Sequence, residues 1–269
     1  MKKYFTLLCL TLMGTSLYAQ KDHLKVSYDY HYYSARGTEM HRPMILTFSN
    51  NKSKFYNPDT NRIDSICSTP EGKAEYEAYV NSINWTTDRD KPTLIRWEKM
   101  YVEKDRSNNE LTVYDTVGGD NFYNYNEALG GINWELTDSI SDILGYNCLT
   151  AECDYHGRHW TVWFTTEIPI SEGPWKLHGL PGLILKAVEE DGQYEFTATG
   201  LEKYEKDIEP VYQKNRYEKI DRIELYKTKH LIDDNFGGYV SARTGTAHPT
   251  NMKSAKIKKG YDYIETDYH

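Results

Sequence analysis

The alternation of apolar and polar positions predicts strands along most of the chain. In the first of them, His23 to Tyr33, apolar or aromatic side chains alternate with polar ones, as in a strand with one covered face. Similar patterns predict strands at 44–48, 54–56, 94–102, 111–117, 122–125, 132–136, 146–155, 159–166, 183–188 and 194–199. The sequence therefore predicts a mainly β fold, either a single antiparallel curved sheet or an incomplete barrel.

Two segments have helical spacing instead, so one or two accessory helices are expected. Thr69 can cap a helix over 70–83, and Pro70 suits its first position. A second helix is expected over 220–233, with Ile220, Tyr226 and Leu231 on its apolar face. From about residue 237 the pattern weakens, which predicts an irregular tail with one late strand at 261–264.

A glycine- and proline-rich stretch, Ser171 to Val188, is predicted to organise the fold. Within it, Leu180-Pro181-Gly182-Leu183 has the chemistry of a type II turn, because proline fixes φ at the second position and glycine supplies a positive φ at the third. The run from Leu183 to Val188 is almost wholly apolar, as in a strand that is buried on both faces. Gly182 is therefore expected to have a positive φ.

The first twenty residues have the pattern of an export signal. Lys2 and Lys3 precede an apolar run at 4–13 that is too short to span a bilayer. Small residues follow, and cleavage is expected after Ala19. Residues 20–269 are then predicted to form one domain that is periplasmic or secreted and does not span the membrane.

The net charge of the chain is −8, and no block of lysine and arginine interrupts its acidic background. Binding to nucleic acid through phosphates is therefore not expected. The chain has 24 tyrosines and seven phenylalanines, a bias that suits strand faces in contact with both water and apolar side chains.

Three cysteines remain after cleavage: Cys67, Cys148 and Cys153. On one extended strand, Cys148 and Cys153 would lie roughly 16 Å apart and point to opposite faces, so they cannot bridge each other. Two alternatives stay open. Cys67 could pair with one of them, or all three could be buried and reduced, which we favour.

Five motifs in order resemble those of the GLPGLI family of exported bacterial proteins. They are Tyr146-Asn147-Cys148, Tyr155-His156-Gly157-Arg158, Trp163-Phe164-Thr165-Thr166-Glu167-Ile168-Pro169, Gly173-Pro174-Trp175 and Gly179-Leu180-Pro181-Gly182-Leu183-Ile184. The resemblance implies a signal peptide and a periplasmic or secreted location, and it implies no activity. The order of strands and turns is also similar to that of periplasmic lipoprotein carriers, which are curved half-barrels; this is an analogy of fold alone.

The residues around these motifs are the candidate site. The sequence contains no G-x-S-x-G, H-E-x-x-H, C-x-x-C, Walker or dinucleotide-binding motif. The candidate binding residues are Arg158, His159, Trp160, Trp163, Trp175 and His178. Arginine and aromatic side chains suit an anion or a glycan, whereas the alternative is packing in the core. The glycines and prolines of the motifs, together with Leu180, Leu183 and Ile184, are expected to be structural.

A metal site at the turn between the strands predicted at 146–155 and 159–166 is a further possibility. His156 and His159 flank a tight turn and could converge on an ion, with His178 as a third ligand. We favour a solvated hairpin tip, and we predict no metal and no cofactor.

Two functions from different classes follow. The first is a non-enzymatic carrier or accessory protein that binds an apolar or amphipathic ligand, or a partner in the cell envelope. The alternative is a periplasmic hydrolase whose site lies near His159 and His178, with Glu167 or Glu172 as the carboxylate.

Overall fold

The computed structural model describes residues 23–83, 94–119, 121–235, 238–239, 241–242 and 260–269. The predicted signal peptide and most of the predicted tail lie outside these residues. The twelve strands are β1 His23–Tyr33, β2 Glu39–Ser49, β3 Lys52–Tyr56, β4 Tyr101–Asp105, β5 Glu110–Val117, β6 Asn121–Ala128, β7 Glu135–Ile143, β8 Tyr146–Tyr155, β9 Arg158–Thr165, β10 Leu183–Glu189, β11 Tyr194–Lys203 and β12 Glu218–Lys219. The helices are α1 Pro58–Ile66, α2 Pro70–Ser82 and α3 Arg222–Asp234.

All twelve strands belong to one open sheet, in the order β12-β6-β5-β4-β3-β2-β1-β11-β10-β9-β8-β7. Most neighbours in the sheet are also neighbours in the chain. Strand β1 joins the two halves of the sheet, which are β2 to β6 with β12 on one side and β7 to β11 on the other. It pairs antiparallel with both β2 and β11 along most of its length. The short strand β12 pairs with β6 in parallel. The prediction of a mainly β fold with a single antiparallel sheet is confirmed, and the described residues contain three α-helices of more than one turn rather than one or two.

Two pairs of consecutive strands, β2 with β3 and β8 with β9, form hairpins whose turns have the backbone that short hairpins need. Asn50 and Asn51 have φ of 47° and 67° between β2 and β3, and His156 and Gly157 have φ of 51° and 79° between β8 and β9. Positive φ at both central residues matches the turn to the twist of the strands. Asparagine and glycine adopt this region at low cost, which is why the sequence marks both turns.

The helix predicted from its cap is confirmed. Thr69 accepts a hydrogen bond from the amide of Gly72, and Pro70 begins α2. The second predicted helix is α3, where Leu225 and Tyr226 are the buried residues. Leu231 was expected on the buried face, but it is 68% exposed. The prediction missed α1, which Asn57 caps through its side chain.

Three predicted strands differ from the structure. Residues 94–100 have no regular structure, so β4 begins only at Tyr101. The strand expected at 132–136 is instead β7, from Glu135 to Ile143. Residues 261–264 do not form a strand, although Ile264 and Tyr268 are buried. These segments contain apolar side chains that pack on the sheet without pairing with it, a case that alternation alone cannot distinguish from a strand.

The core lies on the face of the sheet that carries Tyr28 and Tyr30, which we call the inner face. Phe55 of β3 packs against Phe196 of β11, with ring centroids 5.8 Å apart. The hydroxyl of Tyr28 donates to the carbonyl of Ile184 over 2.6 Å. Residues 183–185 and Ala187 are fully buried, as predicted for the apolar run after the turn.

One prediction about that turn is wrong. Gly182 is not among the residues with positive φ, whereas Gly179 has a φ of 100°. Gly182 is required for a different reason: a Cβ at this position would lie 2.1 Å from the carbonyl oxygen of Thr165. Close approach of two backbone segments, rather than a left-handed conformation, excludes a side chain here.

The three cysteines are unpaired and buried. Burial raises the pKa of the Cys148 thiol to about 11 and that of the Cys153 thiol to about 12. The structure therefore has the reduced arrangement that we favoured, with thiols of low reactivity.

Candidate functional site

The loop between β9 and β10, residues 166–182, fills the inner face of the sheet; we call it the central loop. Every residue from 172 to 178 is buried. Trp175 of the loop is fully buried against Trp160 of β9, with ring centroids 5.6 Å apart. The central loop therefore fills the inner face next to Trp160, where a carrier would need an open apolar groove for its ligand.

Two charged groups from the sheet hold the start of this loop. The ammonium group of Lys104 donates to the carboxylate of Glu172 and to the carbonyls of Gly173 and Leu177, over 3.0 to 3.1 Å. Arg106 donates to the other carboxylate oxygen at 2.6 Å. Burial alone would raise the pKa of Glu172, but the charges of Lys104 and Arg106 outweigh it and lower that pKa. Glu172 is therefore ionised and structural.

A second charged cluster ties the loop to the C-terminal segment, residues 260–269. Lys176 pairs with Glu265 at 2.6 Å and with Glu127 of β6. Arg222 pairs with Glu265 at 2.7 Å and with Asp267 at 2.6 Å. His156, Glu265 and Asp267 lie close enough to hold a metal ion. Because Lys176 and Arg222 already neutralise these carboxylates, we assign the cluster a structural role.

This cluster should make the protein sensitive to acid. Burial alone would raise the pKa of Glu127, but its bonds to His156 and Lys176 outweigh burial and lower it to about 2. A carboxylate with a depressed pKa stabilises the fold above its unfolded pKa, about 4.5, and loses that effect as the pH falls through the folded value. The melting temperature should therefore drop between about pH 4.5 and pH 2.

Glu127→Gln should lower the melting temperature at pH 7 and flatten its decline over that acid range. The matched control is Glu218→Gln, at an exposed position, which should leave both unchanged. An acid profile of Glu127→Gln that parallels the wild-type profile would contradict this assignment.

Arg158, a predicted binding residue, instead anchors the C-terminal segment. Its guanidinium donates to the carbonyls of Asp262 and Tyr263 and to the carboxylate of Glu189. Its side chain is only 5% exposed. Arg158 is thus occupied by the protein itself and does not face an open site.

The other candidate residues lie in separate places. Trp160 and Trp175 are fully buried, and half-buried Trp163 lies on the outer face beneath Lys186. His159 is also on the outer face, where Asp154 accepts from it at 2.8 Å. His178 is buried beside Lys104 and Glu172; burial, followed by the charge of Lys104, lowers its pKa to about 4.

The structure therefore does not join His159 and His178 into one site. Glu172 is held by Lys104 and Arg106, and Glu167 accepts from the amide of Asn147 at 3.0 Å. The structure also does not assemble His156, His159 and His178 as ligands, since the groups of potential ligands in the described residues do not include this set.

A different opening has the features of a binding site, and we call it the tyrosine cleft. It has a volume of about 360 Å³. Six tyrosines line it, from β1, β11, α3 and the C-terminal segment: Tyr30, Tyr32, Tyr194, Tyr226, Tyr261 and Tyr263. Trp97, at its edge, is 52% exposed. The lining of the cleft thus combines aromatic rings with phenol hydroxyl groups, and Tyr30, Tyr194 and Tyr226 are themselves buried.

Stacked rings make the floor of the cleft rigid. Tyr30 stacks on Phe196 with centroids 4.6 Å apart and on Tyr32 with centroids 4.7 Å apart. Tyr194 continues the row, and its hydroxyl donates to the carbonyl of Asp262 at 2.7 Å. A preformed aromatic surface loses little entropy when a ligand binds to it.

Two carboxylates in the cleft have different surroundings. Glu98 accepts a hydrogen bond from Tyr32 at 2.7 Å, and burial raises its pKa. Asp115 is paired with Lys229 of α3. At the edge, Arg42 lies over the ring of Trp97, 4.5 Å from its centroid. The cleft therefore combines a protonatable acid, an ion pair and an exposed indole.

Sequence reasoning missed this site. Trp97 and Glu98 lie in a segment that was interpreted as a strand, and Tyr261 and Tyr263 lie in the predicted tail. The abundance of tyrosine was the available signal, but it does not say which tyrosines meet.

The fold and the cleft define a β-sheet domain with an aromatic site on one face, and comparison with known families places it further. Residues 77–227 match the family described as N-glycanase peptide, N-terminal domain. The chain belongs to this family. Comparison with curated proteins finds no match.

Comparison with solved structures agrees with the fold. The structure of PNGF-II in the C2 space group matches with a TM-score of 0.50 and 18% identity, over 77% of this chain and 32% of that one. The P21 form of PNGF-II gives a TM-score of 0.48 at 18% identity, over 78% and 33%. The crystal structure of MucB gives a TM-score of 0.25 at 11% identity, over 70% and 55%. The chain thus spans about a third of the PNGF-II chains that it matches.

No helix within the described residues is long and apolar enough to cross a membrane.

Proposed function

We propose that this chain is a non-enzymatic binding domain of an exported protein and that the tyrosine cleft holds an amphipathic ligand. The observation that supports this most strongly is the lining of the cleft: six tyrosines and an exposed tryptophan around half-buried Glu98 and buried Asp115. Binding sites typically join an apolar, aromatic lining with a few placed polar groups. The elements that form this lining are far apart in the sequence, and the charged clusters around Arg158 and Lys176 hold the C-terminal segment that carries part of it.

The ligand chemistry that fits best is that of a saccharide. A sugar ring has apolar C–H faces that pack on aromatic rings, and hydroxyl groups that hydrogen-bond to carboxylates and phenols. Trp97 is 52% exposed although Arg42 lies over its ring, and Glu98 and Asp115 line the same cleft as acceptors. The family name refers to an N-glycanase. A glycan-binding role for this domain agrees with that description.

Titration of the purified protein with free oligosaccharides, including N,N′-diacetylchitobiose, tests the proposal by calorimetry and by tryptophan fluorescence. Binding of one equivalent is expected. Trp97→Ala should weaken it about fivefold, because an aromatic contact contributes about 1 kcal/mol beyond its buried area. Tyr32→Phe removes one hydroxyl that donates to Glu98 while keeping the ring, and it should have a smaller effect.

The matched control is Trp163→Ala. Trp163 is half-buried on the outer face, away from the cleft, and it was a candidate in the sequence. If Trp163→Ala loses binding and Trp97→Ala does not, the saccharide binds on the outer face and not in the cleft. If no saccharide in the panel binds, the proposal that the ligand is a saccharide is wrong.

A hydrolase is the second candidate, and one observation favours it. Two carboxylates lie in the cleft in different surroundings: burial raises the pKa of Glu98, whereas Asp115 forms an ion pair with Lys229. Such a difference is typical of an acid and a base in glycoside hydrolysis. Chromatography of the same titration mixtures for shorter products decides between binding and hydrolysis, and Glu98→Gln should abolish any turnover.

The exported location, the similarity to the GLPGLI family and an envelope partner belong to the same proposal. They rest on the N-terminal pattern and on the five motifs of the sequence.

A further inference from the structure

Two histidines face each other on the outer face of the sheet, opposite the tyrosine cleft. His31 of β1 is directly paired with His41 of β2 in the antiparallel register. Their rings stack with centroids 4.8 Å apart. Glu39 precedes His41 by two residues and therefore points to the same face. These three side chains meet near the turn between β1 and β2, two central strands that are paired along their whole length.

The nitrogen and oxygen atoms of this group are close together. Nε2 of His31 lies 3.0 Å from Oε1 of Glu39, and Nε2 of His41 lies 3.7 Å from the same oxygen. All three potential ligand atoms fall within 4.8 Å of one another. Bonds of about 2.0 to 2.2 Å to a zinc ion separate neighbouring ligand atoms in a tetrahedron by about 3.3 to 3.6 Å. The observed separations bracket that range.

Two further features prepare the histidines as ligands. Nδ1 of His41 lies 2.7 Å from Oδ2 of Asp29, so it is the nitrogen that carries the proton and Nε2 is left with a free lone pair. A carboxylate behind a histidine is the usual support of a metal ligand. Nε2 of His31 is buried and makes no aligned hydrogen bond within the described residues. A metal ion would satisfy this atom.

We propose that His31, Glu39 and His41 form a site for a first-row divalent transition metal ion, with Asp29 as a positioning residue for His41. Two imidazoles and one carboxylate suit Zn²⁺ or Cu²⁺ rather than Ca²⁺ or Mg²⁺, which prefer oxygen ligands. Three protein ligands leave a fourth position open to water. The ion would bridge β1 and β2 at the junction of the two halves of the sheet.

The surrounding charges are compatible with a cation. Glu195 of β11 is paired with His31 in the register, and it forms an ion pair with Lys186 at 2.9 Å. This differs from the cluster around His156, where Lys176 and Arg222 contact the carboxylates directly. The site at His31 has no ammonium or guanidinium contact to its ligand atoms among the described residues.

Calorimetric titration of the protein, without a polyhistidine tag and at pH 8, with Zn²⁺ alone tests the proposal. One equivalent is expected to bind. His31→Gln and His41→Gln should each weaken binding at least tenfold. Asp29→Asn should weaken it about tenfold, as the loss of support for a ligand does. Cu²⁺ should bind more tightly than Zn²⁺, and Ca²⁺ should not compete.

His159→Gln is the matched control. His159 also lies on the outer face, with Asp154 at Nδ1 and Glu152 near Nε2. Within the part of the chain that the structure describes, no second imidazole joins it in a group of potential ligands. The His159→Gln variant should bind Zn²⁺ with the affinity of the wild type. Circular dichroism of each variant checks the fold, and Asp29→Asn tests the site without removing a ligand.

Proton competition is a second readout. Metal binding requires each imidazole to be neutral, so protons compete with the ion for the same nitrogen atoms. The titratable groups at the site are His31, His41, Asp29, Glu39, Tyr33, Glu195 and Lys186. Affinity should therefore fall between pH 8 and pH 5.5, with release of protons on binding. Three results would each overturn the proposal. They are no binding of Zn²⁺ at pH 8, an affinity for Zn²⁺ in His31→Gln and His41→Gln that equals that of the wild type, and a loss of affinity in His159→Gln as large as in those two variants.

Discussion

Replacement of Glu172 by glutamine is expected to destabilise the protein by about 3 kcal/mol or more, because it leaves a buried ammonium group without its counter-ion. Lys104 and Glu172 have no exposed side-chain surface, and Nζ lies 3.0 Å from Oε2. Glutamine keeps the shape of the side chain but removes the charge that offsets burial of Lys104. Chemical denaturation monitored by tryptophan fluorescence measures the loss, since Trp175 of the central loop and Trp160 of β9 are both buried.

The controls separate charge from packing. Glu202→Gln breaks an exposed pair with Lys25 at 2.7 Å, and it should change the stability by less than about 1 kcal/mol. The double variant Lys104→Met/Glu172→Leu removes both charges and should be more stable than Glu172→Gln. A Glu172→Gln protein as stable as the wild type would show that the central loop does not depend on this ion pair.

The strands that the sequence predicted well are those with one clearly covered face. In β9, Trp160, Val162 and Phe164 are buried whereas Trp163 is half-buried on the other face. Alternation with a period of two reports this difference in exposure directly. The method fails where apolar side chains pack on the sheet from irregular backbone, as in residues 94–100, since their burial has no period.

The buried charges could not be predicted from the sequence. Lys54, Lys104 and Lys176 each have almost no exposed surface, although lysine is rarely buried without a partner. Each holds an irregular segment: the ammonium of Lys54, for example, donates to the carbonyls of Glu209 and Pro210. Their acceptors lie many residues away in the chain, so no local pattern distinguishes these lysines from solvated ones.

The candidate site has the same limitation. The sequence motifs around Arg158 and Trp175 indicated correctly that this region is central, but their side chains are occupied in holding the fold. The tyrosine cleft joins β1 to the C-terminal segment, and Tyr30 and Tyr263 are brought together only by the tertiary structure. A sequence motif can thus mark the region around which the fold packs. The candidate binding surface can still lie in another part of the sheet.

The alternation of β1 also explains how one strand serves two faces. Tyr30 and Tyr32 point inward to the tyrosine cleft, and Asp29 and His31 point outward to the proposed metal site. Because the two sets share a backbone but no side-chain contact, variants of one set should leave the other's ligand affinity unchanged. The experiments on Trp97 and His31 therefore test independent proposals.

Replacement of Gly182 by valine is the other change with a large expected effect, about 3 kcal/mol, at the upper end of what overpacking usually costs. The Cβ alone would lie 2.1 Å from the oxygen and 2.7 Å from the carbonyl carbon of Thr165. Both are backbone atoms at the end of β9, so relief requires β9 and β10 to separate where Leu183 pairs with Thr165. The melting temperature and the denaturant midpoint measure the loss.

Gly200→Ala is the matched control for Gly182→Ala. Gly200 also lies in a strand without a positive φ, and no atom is within 4 Å of a Cβ built there. Alanine should be neutral or slightly stabilising at this position, because glycine in a strand costs conformational entropy. At Gly182, alanine should already be destabilising, and valine more so. Equal melting temperatures for Gly182→Ala and Gly200→Ala would mean that the contact between Gly182 and Thr165 is not as close as described.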